Sequence, residues 1–570
     1  MKFSQLALGS VIALCIMILG YACVVNPVTG KKQISLMSEE QELALGKQSD
    51  PSIVSHFGKY DDAKIQAFIN EKGKEMAAIS HRPNLPYEFK VLDSPVINAF
   101  AVPGGYVYFT RGILAHFNNE AEFAGVLGHE IGHITGRHSA IAQTKQMLGQ
   151  IGMIGAIIAL PGAREFAQPL SQGMQMLFLK HSRDHESQSD ELGVEYSTAV
   201  GYDAHQMADF FKTLKRKQVE AGVNIPTFQS THPDPGDRFN RVHSMAEAIQ
   251  AEKGGSYSVN RNEYLRMIDG LVYGEDPKGG YVEDDFFYHP VMKFKFPVPR
   301  GWRTANSPSQ FQMADQQGKG MMVLTLAQGA TPEAAAQAFN EKHQTRPVRG
   351  QRTQVNGLNA YFQIADYNPQ QQQGQAQQQS QALRILTYFI QYDGNIYEIT
   401  GVAQTTDYAN LERTFLYTMQ GFAVLTDPSK INRNPDRIKI ATVQRNGTLG
   451  SALQSFKMPQ EKMEELSLLN GMQLNDQVQS GMLIKLVQYD YLNRQNTGYI
   501  PSNSRTQPTP ATNTPTNNTN TQTGNNTNTG HLPPPPRTNT NTNTNTNTNT
   551  QTQPKTTTKT LPGKIKKKGN

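Results

Sequence analysis

The feature that most constrains this chain is the stretch GVLGHEIGHITGRHSA at residues 125–140, which holds His129, Glu130 and His133 in an H-E-x-x-H pattern. Apolar residues at helical spacing around the pattern predict that it lies within a helix. Residues four apart share one face of a helix, so both imidazoles can bind one zinc ion at about 2.0–2.1 Å. Glu130 then lies beside the metal, where a general base takes a proton from metal-bound water.

A third ligand must complete such a site. His138 falls one residue short of the third histidine of the metzincin pattern and, if the helix continues, lies about 180° from His129. We therefore expect His138 to pack or to form hydrogen bonds rather than to bind the metal. Downstream, Glu186 and Asp190 are four apart on a predicted helix, so one carboxylate can bind zinc while the other accepts the ring N–H of a ligating histidine. A solvated acidic face is the alternative interpretation of this pair.

Four motifs in chain order resemble the HtpX, BepA and CaaX-prenyl-protease group of gluzincin metallopeptidases, in its secreted bacterial lipoprotein branch. They are NPVTGKKQISLMSEEQE, NAFAVPGG, the H-E-x-x-H helix with S-R-x-x-E-x-x-x-D-x-x-G about 50 residues later, and STHPDPGDRFNR. The resemblance covers about residues 23–245. It implies that Glu186 is the third zinc ligand, that Asp190 holds a ligating histidine, and that the reaction is peptide-bond hydrolysis.

The last of these motifs contains His232 and Arg238. The resemblance implies that His232 is a further, switchable metal ligand that holds the site closed, with Arg238 in the same loop. From the residues alone, a histidine before a proline is a rigid turn that presents an imidazole, which could equally stabilise the oxyanion of the tetrahedral intermediate or serve only the structure. Both residues are candidate catalytic residues on this basis.

The run YVYFT after Pro103-Gly104-Gly105 predicts a strand that contains Tyr106, Val107 and Tyr108. An unpaired strand is a template for another extended chain, so we predict that substrate pairs along this strand. An ordinary strand inside a sheet is the alternative.

Residues 1–23 contain one lysine, an apolar run from Leu6 to Ala22, and Cys23 directly after a small residue, which predicts a secretory signal. Cys15 lies inside the run, so processing leaves no cysteine pair. We predict that Cys23 is the lipidated N-terminus of a bacterial lipoprotein. An uncleaved membrane anchor and ordinary secretion are the alternatives. Each places the body outside the cytoplasm, and lipidation places it on the periplasmic side of the envelope.

The remaining patterns predict a multidomain chain. After the signal at 1–23 we expect a mainly helical α+β metallopeptidase domain at 24–270, an antiparallel α+β accessory domain at 283–426, a small βααβ unit at 436–488, and a disordered Asn/Thr-rich tail at 495–570. Of the net charge of +6, residues 501–570 supply +8, so the rest of the chain sums to −2. We treat this basic run as solvated and predict no nucleic-acid partner.

The unit at 436–488 resembles the LysM peptidoglycan-binding module on Gly447-Thr448-Leu449, two short helices, Leu469-Asn470 and Gly481 before a closing strand. The resemblance implies peptidoglycan as a partner. The same apolar spacing fits a generic βααβ packing unit, so a purely structural role stays open.

Together these features predict a zinc-dependent endopeptidase of the bacterial envelope, with one zinc per chain, that hydrolyses misfolded or unassembled envelope proteins. One alternative is a proteolytically latent envelope chaperone or peptidoglycan-tethered binding protein. A structural zinc protein is a further alternative, against which Glu130 argues, because closed structural sites need no base.

Overall fold

The computed structural model describes residues 23–149, 181–221, 232, 237–367 and 382–490. All of them lie within one compact unit that spans residues 1–500. The predicted signal before Cys23 and the predicted tail at 495–570 lie outside the described residues. Within these ranges, every helix is too short or too polar to cross a bilayer.

The N-terminal part of the structure is mainly helical. Its helices are α1 (Glu39–Phe57), α2 (Ala63–Ala78), α3 (Arg111–His116), α4 (Glu120–Thr135), α5 (His138–Gly149), α6 (Arg183–Ala199), α7 (His205–Ala221), α8 (Arg238–Lys253) and α9 (Arg261–Met267). Its strands are β1 (Cys23–Val25), β2 (Lys32–Ile34), β3 (Glu88–Leu92), β4 (Ala99–Val102), β5 (Tyr106–Thr110) and β6 (Val272–Tyr273). The strands β3, β5 and β4 form one sheet in that order, and β4 lies against α4.

Strand β5 lies in the middle of this sheet. Val107 pairs with Phe89 of β3 in parallel and with Ala101 of β4 in antiparallel orientation. Strand β5, which contains Tyr106, Val107 and Tyr108, therefore has a paired strand on each side. The prediction that substrate pairs along this strand is wrong. Within the described residues, β4 pairs with β5 alone, so its other edge is open.

The middle part is a second, antiparallel structure. Its strands are β7 (Tyr281–Glu283), β8 (Phe286–His289), β9 (Phe294–Pro297), β10 (Arg303–Ser307), β11 (Gln310–Ala314), β12 (Gly320–Ala327), β13 (Arg346–Val355), β14 (Leu358–Tyr367), β15 (Leu383–Tyr392), β16 (Asn395–Gln404) and β17 (Ala423–Val424). Its helices are α10 (Pro332–His343), α11 (Thr405–Gln420) and α12 (Pro428–Ile431). The strands form a seven-stranded sheet, β10-β11-β12-β16-β15-β14-β13, and a four-stranded sheet, β17-β9-β8-β7.

The large sheet is covered on both faces. On β15, Leu386 and Tyr388 belong to the core that contains Phe415 of α11, whereas the alternate residue Ile385 belongs to the core that contains Phe339 of α10. This period of two is that of a strand buried on both sides. The predicted antiparallel sheet with a covering helix is confirmed, and α10 is a second covering helix that the pattern did not indicate.

The C-terminal unit contains β18 (Asp436–Thr442), β19 (Gly447–Thr448), α13 (Leu449–Ser455), α14 (Met463–Leu469), β20 (Gln477–Val478) and β21 (Leu483–Gln488). Strand β18 pairs with β21 and also with β6 of the N-terminal part. Its apolar residues, such as Leu466 and Val487, share one hydrophobic core with Phe117 and Phe210. The buried Lys485 donates hydrogen bonds to the carbonyls of Ala115 at 2.9 Å and Phe117 at 3.0 Å. The unit is therefore packed into the N-terminal part rather than suspended beside it.

Candidate metal centre

Two helices with polar N-caps carry the site. The side chain of Asn119 accepts a hydrogen bond from the Glu122 backbone at the start of α4, and that of Ser182 accepts one from His185 at the start of α6. Such caps satisfy backbone N–H groups that have no partner within the helix. They fix where each helix begins, and hence the rotation of every side chain that follows.

Glycines allow α4 and α6 to approach closely. A Cβ atom at Gly193 would lie 2.9 Å from the carbonyl oxygen of Gly125, and one at Gly128 would lie 3.0 Å from the Cα of Gly193. Side chains larger than hydrogen would push the two helices apart. This close contact brings the H-E-x-x-H helix within reach of the acidic residues on α6. The small residues at 125, 128 and 193 were the sequence signal that could have predicted the crossing.

Four buried donors converge at this crossing: His129, His133, Glu186 and His232 offer ligand atoms that all lie within 4.8 Å of one another. His129 Nε2 lies 3.0 Å from His133 Nε2 and 3.5 Å from Glu186 Oε2. His232 Nδ1 lies 3.2 Å from His129 Nε2 and 3.3 Å from Glu186 Oε1. The structure thus brings together four residues from three separate segments of the chain.

The chemistry and the spacing of these donors fit zinc. Nitrogen and oxygen donors at about 2.0–2.1 Å from a tetrahedral zinc lie about 3.3–3.4 Å from each other, and the measured separations run from 3.0 to 3.5 Å. The imidazole neighbours hold the pKa of Glu186 well below its usual range although burial opposes this. Burial and neighbouring histidines hold the pKa of His133 well below its usual range. An ionised carboxylate and a neutral imidazole are the forms that bind metal.

Asp190 lies behind His129 rather than among the ligands. Its Oδ1 is 2.9 Å from His129 Nδ1, so it accepts the ring N–H and directs Nε2 to the cluster. Arg238 holds Asp190 through Nε at 3.0 Å and Nη2 at 2.5 Å, and Arg241 donates to the other oxygen of the same carboxylate. The Arg238 guanidinium also lies 3.7 Å from the centre of the Phe211 ring. Arg238 was predicted from the sequence as a site residue, whereas Arg241 was not.

Glu130 is fully buried beside the cluster, and neither of its carboxylate oxygens has a hydrogen-bond partner among the described residues. Its Oε1 lies 3.5 Å from His232 Nε2. Burial raises the pKa of this carboxyl group, although the nearby imidazoles oppose the shift. A buried carboxylate without a partner is costly unless a ligand or water contacts it. The arrangement can accept a proton from a group bound at the cluster.

The predicted position of His138 on the far face of a continuing helix is wrong, but the prediction that His138 forms hydrogen bonds is confirmed. Helix α4 ends at Thr135, and Arg137 adopts φ of 59° before α5 begins. The Arg137 guanidinium is held by Glu42 at 2.6 Å. The chain therefore turns back at Gly136 and Arg137 and returns His138 to the site, where its Nδ1 faces His133.

Residues 63–246 match the model of Peptidase family M48. The chain is 28% identical over 259 residues to the beta-barrel assembly-enhancing protease of Yersinia pestis, which covers 44% of this chain and 52% of that protein. It is 29% identical over 238 residues to the mitochondrial metalloendopeptidase OMA1 of Arabidopsis thaliana, with 41% and 46% covered. The resemblance to gluzincin metallopeptidases is confirmed for this part of the chain.

The chain spans about half the length of these relatives. Among solved structures, cyanobacterial PsbP of Synechocystis sp. PCC 6803 matches 24% of this chain and 91% of its own length at 11% identity, with a TM-score of 0.20. That score supports no assignment. The resemblance of residues 436–488 to LysM stays a prediction.

Proposed function

We propose, from the peptidase family M48 domain at residues 63–246, that this protein is a zinc-dependent endopeptidase. Members of the family use zinc, and the His-His-Glu-His cluster offers donors that fit it. The observation that carries the proposal is Glu130, whose buried carboxylate has no hydrogen-bond partner among the described residues and lies next to that cluster. A purely structural zinc site has no use for such a group.

Zinc bound at the cluster supplies Lewis acidity and a water of lowered pKa. Glu130 would take up a proton on a carboxylate oxygen and pass it to the departing amine. Asp190 keeps the ring N–H of His129 on Nδ1, so that Nε2 faces the cluster, and Arg238 and Arg241 keep Asp190 ionised and in place. The surrounding helices exclude bulk water, which strengthens each of these interactions.

We assign His232 the role of a fourth ligand that closes the site. Its Nδ1 lies 3.2 Å from His129 Nε2 and 3.3 Å from Glu186 Oε1, so the imidazole would keep a substrate group away from the other three donors. His232 must therefore withdraw before hydrolysis. This arrangement supports a latent form of the enzyme.

The open edge of β4 is the best candidate for binding an extended substrate. Val102 and Pro103, at the end of β4, line the same small recess of about 10 Å³ as His133. Backbone pairing along β4 would therefore bring an extended chain close to the cluster. Main-chain pairing selects for extended chains rather than for particular side chains. Unfolded or unassembled proteins meet that requirement.

The relatives named beta-barrel assembly-enhancing protease support action on bacterial envelope proteins. We accordingly propose proteolytic quality control on the periplasmic side, with Cys23 as the lipid-bearing anchor. We propose that residues 436–488 bind peptidoglycan on a surface other than their apolar face, because that face packs against the peptidase core.

Glu130→Gln tests the activity, because it keeps the size and removes the base. The variant should keep its zinc and lose cleavage of unfolded casein by at least 100-fold, while His232→Ala should cleave faster than the wild type. Equal cleavage by Glu130→Gln and wild type would disprove the hydrolase. Full complementation of a gene deletion by Glu130→Gln would favour the latent chaperone.

A further inference from the structure

We propose a second zinc site at the protein surface, formed by His205, His243 and Glu247. His205 is the first residue of α7, and the other two lie one turn apart on α8. Each side chain offers one ligand atom, and these atoms all lie within 4.8 Å of one another. The site is separate from the catalytic cluster and does not depend on the proposed peptidase activity.

The helix geometry places the ligands correctly. His243 and Glu247 are four residues apart, so both project from one face of α8. The rings of His205 and His243 lie 4.7 Å apart at 64°, close to the His129–His133 pair, whose rings lie 4.7 Å apart at 76°. The two surface histidines, which come from different helices, thus have nearly the same ring separation as two histidines of the buried cluster.

The carboxylate can complete the set with a small movement. His205 Nε2 lies 3.8 Å from Glu247 Oε2, and the Glu247 side chain is 73% exposed. Donors around a tetrahedral zinc lie about 3.3–3.4 Å apart. A rotation of the exposed Glu247 side chain closes the difference, and water completes the coordination.

Asp203 orients His205 for this role. Its Oδ1 accepts the ring N–H at Nδ1 over 2.7 Å and also the backbone N–H of His205 at 3.1 Å. The ring is therefore held in the tautomer whose Nε2 faces Glu247. Asp190 does the same for His129, and a carboxylate behind a ligating histidine raises its basicity and its affinity for metal.

A metal at this position would join the beginning of α7 to the middle of α8. Helix α8 begins at Arg238, the residue that holds Asp190 behind His129. A set of two imidazoles and one carboxylate binds Zn²⁺ in preference to Mg²⁺ or Ca²⁺. Zinc at the surface would thus stabilise the packing of the helix that supports the buried site.

The test is the number of zinc ions bound by the full-length protein, measured by calorimetric titration of the metal-free protein with Zn²⁺. Wild type should bind two ions. His129→Ala and His243→Ala should each bind one, and His56→Ala, which removes a histidine outside both clusters, should bind two. Asp203→Asn should weaken the second site by about 10- to 100-fold while leaving the first unchanged.

Glu247→Gln is a second test that does not depend on the folding of the histidine variants. The exposed Glu247 side chain can be exchanged without disturbing the core. It should weaken the second site by at least tenfold with unchanged circular dichroism. A single ion in wild type, or two ions of unchanged affinity in both His243→Ala and Glu247→Gln, would overturn the proposal.

Discussion

His138 Nδ1 lies 3.0 Å from His133 Nδ1, on the side of the His133 ring that faces away from the other ligands. Because His133 presents Nε2 to the cluster, its Nδ1–H must donate, and His138 must accept. His138 can do so because burial and the neighbouring His185 lower its pKa to about 3. Its own Nε2–H then donates to Gln188 Oε1 at 2.8 Å. This hydrogen-bonded chain fixes the tautomer of a proposed zinc ligand.

We predict that His138→Ala keeps one zinc ion in the buried site but binds it about 10- to 100-fold more weakly, because the orientation of His133 is lost. Competition with a chelator measures the change. Glu186→Ala is the comparison and should lose that ion altogether. The reverse order, with metal lost in His138→Ala and retained in Glu186→Ala, would exchange the roles of the two residues.

Asp190→Asn should destabilise the protein by about 3–5 kcal/mol, since it leaves two arginines next to a buried site without their carboxylate. Chemical denaturation of the metal-free protein measures this loss. Arg241→Lys is the matched control, because the Arg241 side chain is partly exposed and the substitution keeps its charge. It should lower the free energy of unfolding far less. Equal losses in the two variants would mean that the charge of Asp190 contributes little.

Gly193→Ala should separate α4 from α6, because the added methyl would lie 2.9 Å from the Gly125 carbonyl oxygen. We expect a cost of about 1–3 kcal/mol from overpacking, together with weaker zinc binding. Gly279→Ala has room for its methyl, with the nearest atom 4.0 Å away, and should leave both properties unchanged. Unfolding curves and zinc titrations of the two variants measure the stability and the zinc affinity.

Lys485→Met should reduce the free energy of unfolding by about 1–3 kcal/mol, because the carbonyls of Ala115 and Phe117 lose their donor. Lys439→Met on β18 is the control, since its side chain is 56% exposed and such changes cost at most about 0.5 kcal/mol. A chain that ends before Asp436 should fail to fold a stable zinc site. A stable truncated peptidase would mean that the C-terminal unit is an independent module after all.

The stability of the middle domain should fall as pH rises from about 4.5 to 7. Burial raises the pKa of Glu398 to about 7, although Thr400 and Lys342 oppose the shift. The folded state therefore holds this proton more tightly than the unfolded chain, and stability is lost as the proton leaves, by roughly 3 kcal/mol. Thermal unfolding of Glu398→Gln should show a smaller loss across this range, and an unchanged pH profile would contradict the assignment.

The residues of the site that local periodicity controls could be predicted from the sequence. His129 and His133 share a helix face because they are four apart, and the same spacing pairs Glu186 with Asp190. The position of His138 could not be predicted, because it depends on one residue, Arg137, that takes a positive φ after the helix. Gly136 is a sequence signal for the end of the helix, but it does not indicate the direction that the chain takes afterwards.

Features that depend on contacts between distant parts of the chain could not be predicted from the sequence either. The pattern of Tyr106 to Tyr108 indicates a strand, yet an alternating pattern does not say whether a strand lies at the edge or in the middle of its sheet. In the same way, the apolar residues of the C-terminal unit indicate a packed face without indicating its partner. That partner is the core formed by α4 and its neighbours.

The hydrogen bonds from Lys485 also impose an order in time. Ala115 and Phe117 precede the helix of the H-E-x-x-H pattern, but their donor follows 370 and 368 residues later in the chain. A ribosome must therefore finish nearly all of the described body before these carbonyls can be satisfied. The buried core around the H-E-x-x-H helix is therefore completed only after Lys485 has been synthesised.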